Sequence, residues 1–138
     1  MVAGILSAAV LAWRGQAERS HPAAPLNAPA HWFFGRRSLR QDRPSWKHTA
    51  TGIAVHQASS VFWAVFYGLL RSGHRAPGRA SALVDAAAIS ALAALVDLEF
   101  VPERLTPGFE RKLSSPSLAG VYVAFAAGLA LLDLVKRR

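Results

Sequence analysis

The chain has 138 residues, of which 52% are hydrophobic and only 17% are charged. Soluble domains carry about 25% charged residues, so this composition favours an integral membrane protein that forms one compact unit. Because the sequence contains no cysteine, disulfides, thiolate metal sites and cysteine nucleophiles are excluded.

The net charge of +8 raises the question of nucleic-acid binding. All sixteen Lys and Arg residues, however, lie at the ends of apolar runs or between them, as charges held at membrane surfaces do. We therefore predict a lipid bilayer with anionic lipids as the partner, and no nucleic acid. The basic groups are Arg14 and Arg19; Arg36, Arg37, Arg40, Arg43 and Lys47; Arg71, Arg75 and Arg79; Arg104, Arg111 and Lys112; and Lys136, Arg137 and Arg138.

The first apolar run covers residues 2–13 and predicts a helix over about 1–17. Twelve helical residues rise only about 18 Å, whereas the hydrocarbon core of a bilayer is about 30 Å thick. A signal peptide is disfavoured because no positively charged segment precedes the run. A truncated gene start, or a short helix shielded by its neighbours, explains the length better.

A long polar connection follows, and it contains an aromatic segment at about residues 29–40. His31, Trp32, Phe33 and Phe34 are followed there by Gly35 and two arginines. Two interpretations stay open: a short element in the lipid headgroup region, or a lid packed over the end of a helix bundle.

Three further helices are predicted, at about residues 45–71, 79–100 and 116–136. Ser45 is the candidate N-cap of the second helix, and Pro102 should end the third. In the fourth, Gly120, Ala124 and Gly128 form a small-xxx-small pattern that, like Gly52 in the second helix, permits close helix packing. The expected fold is one all-α domain over 1–138, a polytopic membrane bundle of about four helices, the first one short.

A polar stripe runs along the second helix. At about 100° per residue, Gly52, His56, Ser59, Trp63 and Tyr67 share one face, and Ser60 lies beside it. A histidine inside a spanning helix is costly unless it faces protein or water. It is either a haem, metal or proton-relay ligand, or a neutral side chain that bonds to a neighbouring helix.

Asp85 in the third helix and His31 in the connection are the candidate partners of this stripe. An Asp85–His56 contact would orient the imidazole, whereas the alternative places Asp85 near the surface, paired with Arg75 or Arg79. The candidate ligand or polar-core residues are therefore His56, Ser59, Ser60, Asp85, His31, Trp63 and Tyr67.

No common catalytic motif occurs in the sequence. We expect an accessory, structural or assembly component of a membrane complex, with a membrane-protein partner or a second copy, and we predict no cofactor. The alternative is a membrane-embedded site around His56 and Asp85 that handles a ligand, haem, metal or protons.

Three segments, residues 27–32, 48–64 and 101–110, carry a resemblance that covers most of the chain. Together they resemble a family of small bacterial integral membrane proteins with no assigned activity. The resemblance implies a multi-pass protein of the bacterial inner membrane. It also implies that similar proteins have more residues ahead of the first helix.

Overall fold

A computed structural model describes residues 1–75 and 78–135, and within these ranges all regular structure is helical. The prediction of an all-α fold is confirmed, but the number of about four helices is wrong. Six α-helices of five residues or more occur in the described part. The additional helices lie in the long connection, where prolines and Gly35 divide the chain into short helical pieces.

Four helices are long, and three are short. The long ones are α1 (Val2–Arg19), α5 (Trp46–Ser72), α6 (Arg79–Leu95) and α7 (Ser115–Val135), and the short ones are α2 (Ala23–Asn27), α3 (His31–Phe34) and α4 (Arg36–Arg40). A π-helical turn, Val96–Phe100, continues α6, and single 3₁₀ turns occupy Ala28–Ala30, Glu103–Leu105 and Phe109–Arg111.

Three of the long helices have the length and apolar composition needed to cross a membrane. They are α5, α7 and α6 with its π-helical turn. Helix α1 is not among them, and its last six residues include Arg14, Glu18 and Arg19. The predicted end of the fourth helix at residue 136, and the basic residues 136–138, lie outside the described residues.

Local sequence explains where these helices begin and end. Ser45 is extended and accepts a hydrogen bond from the backbone N–H of His48, which confirms the predicted N-cap of α5. The π-helical turn stops before Val101, which is extended because Pro102 follows it.

Helix α1 runs antiparallel to α7. Its beginning meets the end of α7, where Ala3 packs against Gly128, and its end meets the start of α7. There the Glu18 carboxylate accepts hydrogen bonds from the backbone N–H of Ser114, at 2.7 Å, and from the Ser117 hydroxyl. Glu18 thus caps the start of a helix 96 residues further along the chain.

The opposite end of the bundle is held together by charged groups. Arg71 at the end of α5 forms ion pairs with Asp85 of α6, at 3.1 Å, and with Asp133 of α7, at 3.4 Å. Tyr67 also donates a hydrogen bond to Asp133, at 2.6 Å. Since α5 and α7 meet here at their ends, they run parallel to each other, and α1 runs opposite to both.

Two groups of buried apolar side chains fill the interior. One lies among α5, α6 and α7 and is centred on Trp63, Ile89 and Phe125. The other joins α1, α7 and the connections through Leu11, Phe109 and Val121. Between these two clusters the long helices separate and leave a cavity.

Candidate functional site

A cavity of about 470 Å³ lies between α5, the end of α6 and α7. Most of its lining is apolar. Trp63, Ala93 and Phe125, which belong to the cluster among the three spanning helices, line one end, and Trp32 and Pro107 from the two long connections line the other. The volume falls within the range of about 300–1,000 Å³ that is common for ligand pockets.

The two connections are joined to each other beside the cavity. Trp32 of α3 donates its indole N–H to the carbonyl of Thr106, at 2.9 Å. His31 is buried, and its Nδ1 lies 2.8 Å from the carbonyl of Ala28. Trp32 therefore packs as expected for a lid over the end of the bundle, which was one of the two interpretations of segment 29–40. The neighbouring Phe33 does not share this packing, since it is 69% exposed.

Some lining residues are open to the outside of the bundle. Phe62 on α5 is 55% exposed, and Leu105, in the second connection, is 46% exposed. Phe62 lies in the middle of a helix that is long and apolar enough to span. The cavity therefore opens on the side of the bundle that a bilayer would cover.

Polar side chains lie together on the wall of the cavity that is formed by the π-helical turn and α7. The Asp97 carboxylate, in the π-helical turn, accepts a long hydrogen bond from the Tyr122 hydroxyl, at 3.4 Å. The Trp63 side chain lies near the same carboxylate and also lines the cavity.

Glu110 adds a second carboxylate close to this wall. It lies within electrostatic reach of both Asp97 and Tyr122. Its buried Oε2 has no hydrogen-bond partner among residues 1–75 and 78–135. Among the described residues, Asp97 is the carboxylate that lines the cavity.

His56 also lines the cavity, and it bonds to α1. Its Nε2 lies 3.0 Å from the Ser7 hydroxyl, which donates its single proton to the carbonyl of Ala3 at 2.9 Å. The His56 ring also meets the ring of Phe109 edge to face, with centroids 6.2 Å apart.

The predicted stripe on α5 divides among three environments. Gly52 packs against the carbonyl of Leu26, which leaves no room for a Cβ. Ser59, Ser60 and Trp63 line the cavity, and Ser60 donates to the carbonyl of His56 at 2.8 Å. Tyr67 lies beyond the cavity.

The structure does not bring Asp85 to His56. Asp85 pairs with Arg71, at 3.1 Å, and with Nε2 of His74, at 3.0 Å. Arg71 lies fifteen residues beyond His56 on the same helix, which corresponds to about 22 Å. Asp85 therefore belongs to the charged end of the bundle, and its cation is Arg71 rather than Arg75 or Arg79.

The small residues of α7 face α1. A Cβ on Gly128 would overlap the backbone of Ala3, and the nearest atom to one on Gly120 would be Cγ1 of Val10, at 4.0 Å. Ala124 lies between these two positions. Close approach of the two helices thus depends mainly on Gly128.

Sequence reasoning named Trp63 as a candidate but missed Asp97 and Tyr122, which complete this wall of the cavity. Asp97 lies near the end of a predicted helix, where a carboxylate is expected at the membrane interface. The sequence feature that could have indicated this wall is Tyr122, which places a hydroxyl group within an otherwise apolar helix. No group of three or more metal-ligating side chains occurs in the described ranges.

Comparisons with protein-family models, with curated proteins and with solved structures found no match.

Proposed function

We propose that this protein binds an apolar, lipid-like molecule in the cavity between α5, α6 and α7. The observation that carries the proposal is the 470 Å³ cavity, apolar except for a few polar groups that include Asp97 and Tyr122. Pockets for small molecules usually combine such an apolar lining with a few fixed polar groups.

The position of the cavity supports entry from the bilayer. The hydrogen bond between Trp32 and Thr106 joins the two connections at one end, and Trp63 packs at the other. The partly exposed Phe62 leaves the side of the bundle as the open route. A molecule already dissolved in the hydrocarbon core could enter there without crossing water.

The test compares molecules that copurify with the protein and with two variants. Wild-type protein, Ser59→Phe and Ala54→Phe are extracted with a polymer that keeps the surrounding bilayer, and their apolar contents are measured by mass spectrometry. Ser59 lines the cavity, whereas Ala54 is exposed on the same helix. A bound molecule should be enriched over bulk lipid in the wild type and in Ala54→Phe, and reduced at least about tenfold in Ser59→Phe.

Equal lipid contents in all three proteins would contradict the proposal. An absorption spectrum and a metal analysis of the same samples test the haem and metal alternatives around His56. A Soret band, or stoichiometric metal that is lost in His56→Ala, would favour a cofactor site instead.

An accessory or assembly role in a larger membrane complex is the second candidate. It is favoured by the outer face of α6, where Ala87, Ala88 and Ala91 are exposed and would let another helix approach closely. Replacing Ala88 with Leu should then release a partner or a second copy in crosslinking experiments. We further propose a bacterial inner-membrane location, supported by the resemblance of residues 27–32, 48–64 and 101–110.

A further inference from the structure

The polar wall of the cavity determines which chemical group a bound molecule should present. An ionised carboxylate only accepts hydrogen bonds, and its two oxygens offer about four acceptor positions. Tyr122 donates to Asp97 over a long distance, 3.4 Å, and the Trp63 side chain lies near the same carboxylate. Asp97 therefore has acceptor capacity that a ligand could fill.

Most hydrogen-bond donors around the cavity already have acceptors within the protein, whereas the Ser59 hydroxyl, which lines the cavity, has none among the described residues. The Trp32 indole donates to Thr106, Ser60 donates to the carbonyl of His56, and Ser7 donates to Ala3. A ligand that only accepts hydrogen bonds would find only the Ser59 hydroxyl free among the described lining residues, or would have to break one of these bonds. A ligand that donates would need to break none of them.

The charges near the cavity also favour a hydrogen-bond donor over an anionic group. Glu110 lies within electrostatic reach of Asp97 and has a buried oxygen without a hydrogen-bond partner in the described part of the chain. An anionic headgroup would bring a third negative charge into this weakly screened region, where like charges repel strongly.

Resting on the proposed function, we propose that the cavity selects apolar molecules that end in a hydrogen-bond donor, a hydroxyl or an ammonium group, which binds the Asp97 carboxylate. Molecules that end in a carboxylate are rejected. The alcohol and the amine share the donor chemistry, and the amine adds a charge attraction.

Tryptophan fluorescence provides the measurement. Trp32 and Trp63 line the cavity, whereas Trp13 and Trp46 are 66% and 91% exposed. In a Trp13→Phe, Trp46→Phe background, the protein is placed in vesicles of zwitterionic lipid at mildly alkaline pH. Three probes with one brominated alkyl chain, ending in hydroxyl, amine or carboxylate, are then titrated as quenchers.

Saturable quenching by the alcohol and the amine, at least about tenfold tighter than by the carboxylate, is the expected result. Asp97→Asn should reduce this preference about tenfold. Glu99→Gln, which removes the same charge from an exposed position of the same π-helical turn, should leave it unchanged. Because the three probes are compared in protein with Asp97 intact, the result does not depend on whether Asp97→Asn folds.

The outcomes separate the two proposals. If all three probes bind equally and Ser59→Phe abolishes binding, the headgroup selection is wrong and the cavity proposal stands. If no probe shows saturable quenching, or if Ser59→Phe leaves it unchanged, both proposals fail.

Discussion

The carboxylate of Glu18 links the first and last helices of the described structure. Hydrogen bonds from Ser117 and from the backbone of Ser114, with a contribution from Arg14, lower the pKa of Glu18 from an ordinary value near 4.5 to about 2. A carboxyl group with a lowered pKa stabilises the fold when it is ionised. This contribution is complete above the unfolded pKa and is lost as the pH falls toward about 2.

We predict that Glu18→Gln lowers the thermal stability of the protein at neutral pH. The difference from the wild type should shrink between pH 4.5 and about 2, because the wild-type carboxylate then becomes protonated. Unfolding in detergent, followed by circular dichroism across this pH range, measures the effect. A difference that stays constant with pH would show that the side-chain charge is not responsible.

Asp85→Asn should destabilise the protein without emptying the cavity. The substitution removes a buried partner of Arg71, and loss of a charged hydrogen bond of this kind costs about 1.5–3 kcal/mol. Since Asp85 lies near the end of α5, away from His56, the copurifying molecule should be retained. Loss of that molecule at full stability would instead place Asp85 in the binding site.

Single residues were the least predictable part of this molecule. The sequence showed that His56 needs a partner but not that Ser7 supplies it, because that contact joins residues 49 positions apart. Asp97 reads as interfacial by position, and only the packing of α7 against α6 places Tyr122 beside it. Such pairings depend on helix rotation, which hydropathy does not specify.

At the scale of helices, the apolar pattern was a better guide. Ser45, Pro102 and the charge-free runs mark the termini of α5 and α6 closely, since capping and proline act locally. The structure of the 20–45 connection was harder to predict from the sequence, because its helices are too short to be stable alone and depend on tertiary contacts. Asn27 is an example, since its side chain donates to the carbonyls of Gln41 and Arg43.

Gly128→Val should separate α1 from α7. Any Cβ at this position would overlap the backbone of Ala3, which cannot rotate away as a side chain could. Overpacking of this kind costs about 1–3 kcal/mol. Thermal unfolding of Gly128→Val is compared with that of Ala127→Val, a neighbouring exposed position. Equal stability of the two variants would contradict close α1–α7 packing.

Over the whole molecule, the helix directions place the basic groups unequally. The 20–45 connection, the 101–114 connection and the end of α1 lie at one end of the bundle, and the α5–α6 turn lies at the other. Ten of the sixteen Lys and Arg residues lie at the end of the bundle that carries the two connections. Short cytoplasmic loops are enriched in such residues, so we predict that this end faces the cytoplasm.

The absence of cysteine makes this orientation directly testable. Single cysteines are introduced at Ala17, near the end of α1, and at Gly73, after α5; both positions are exposed. In intact cells, a membrane-impermeant maleimide should label Gly73→Cys and should label Ala17→Cys only after lysis. The reverse pattern would invert the orientation.

The pairing of α1 with α7 has a consequence for biosynthesis. Helix α1 leaves the ribosome before its partner, and it carries Arg14 and Ser7 on a segment less suited to the bilayer than the three spanning helices. Its Arg14 bonds to Glu18 of α1 itself, at 2.8 Å, and to Ser117 of α7, at 2.6 Å, and the second contact forms only after the start of α7 has been made. The packing of α1 against α7 therefore forms late in synthesis, after α5 and α6 have been made.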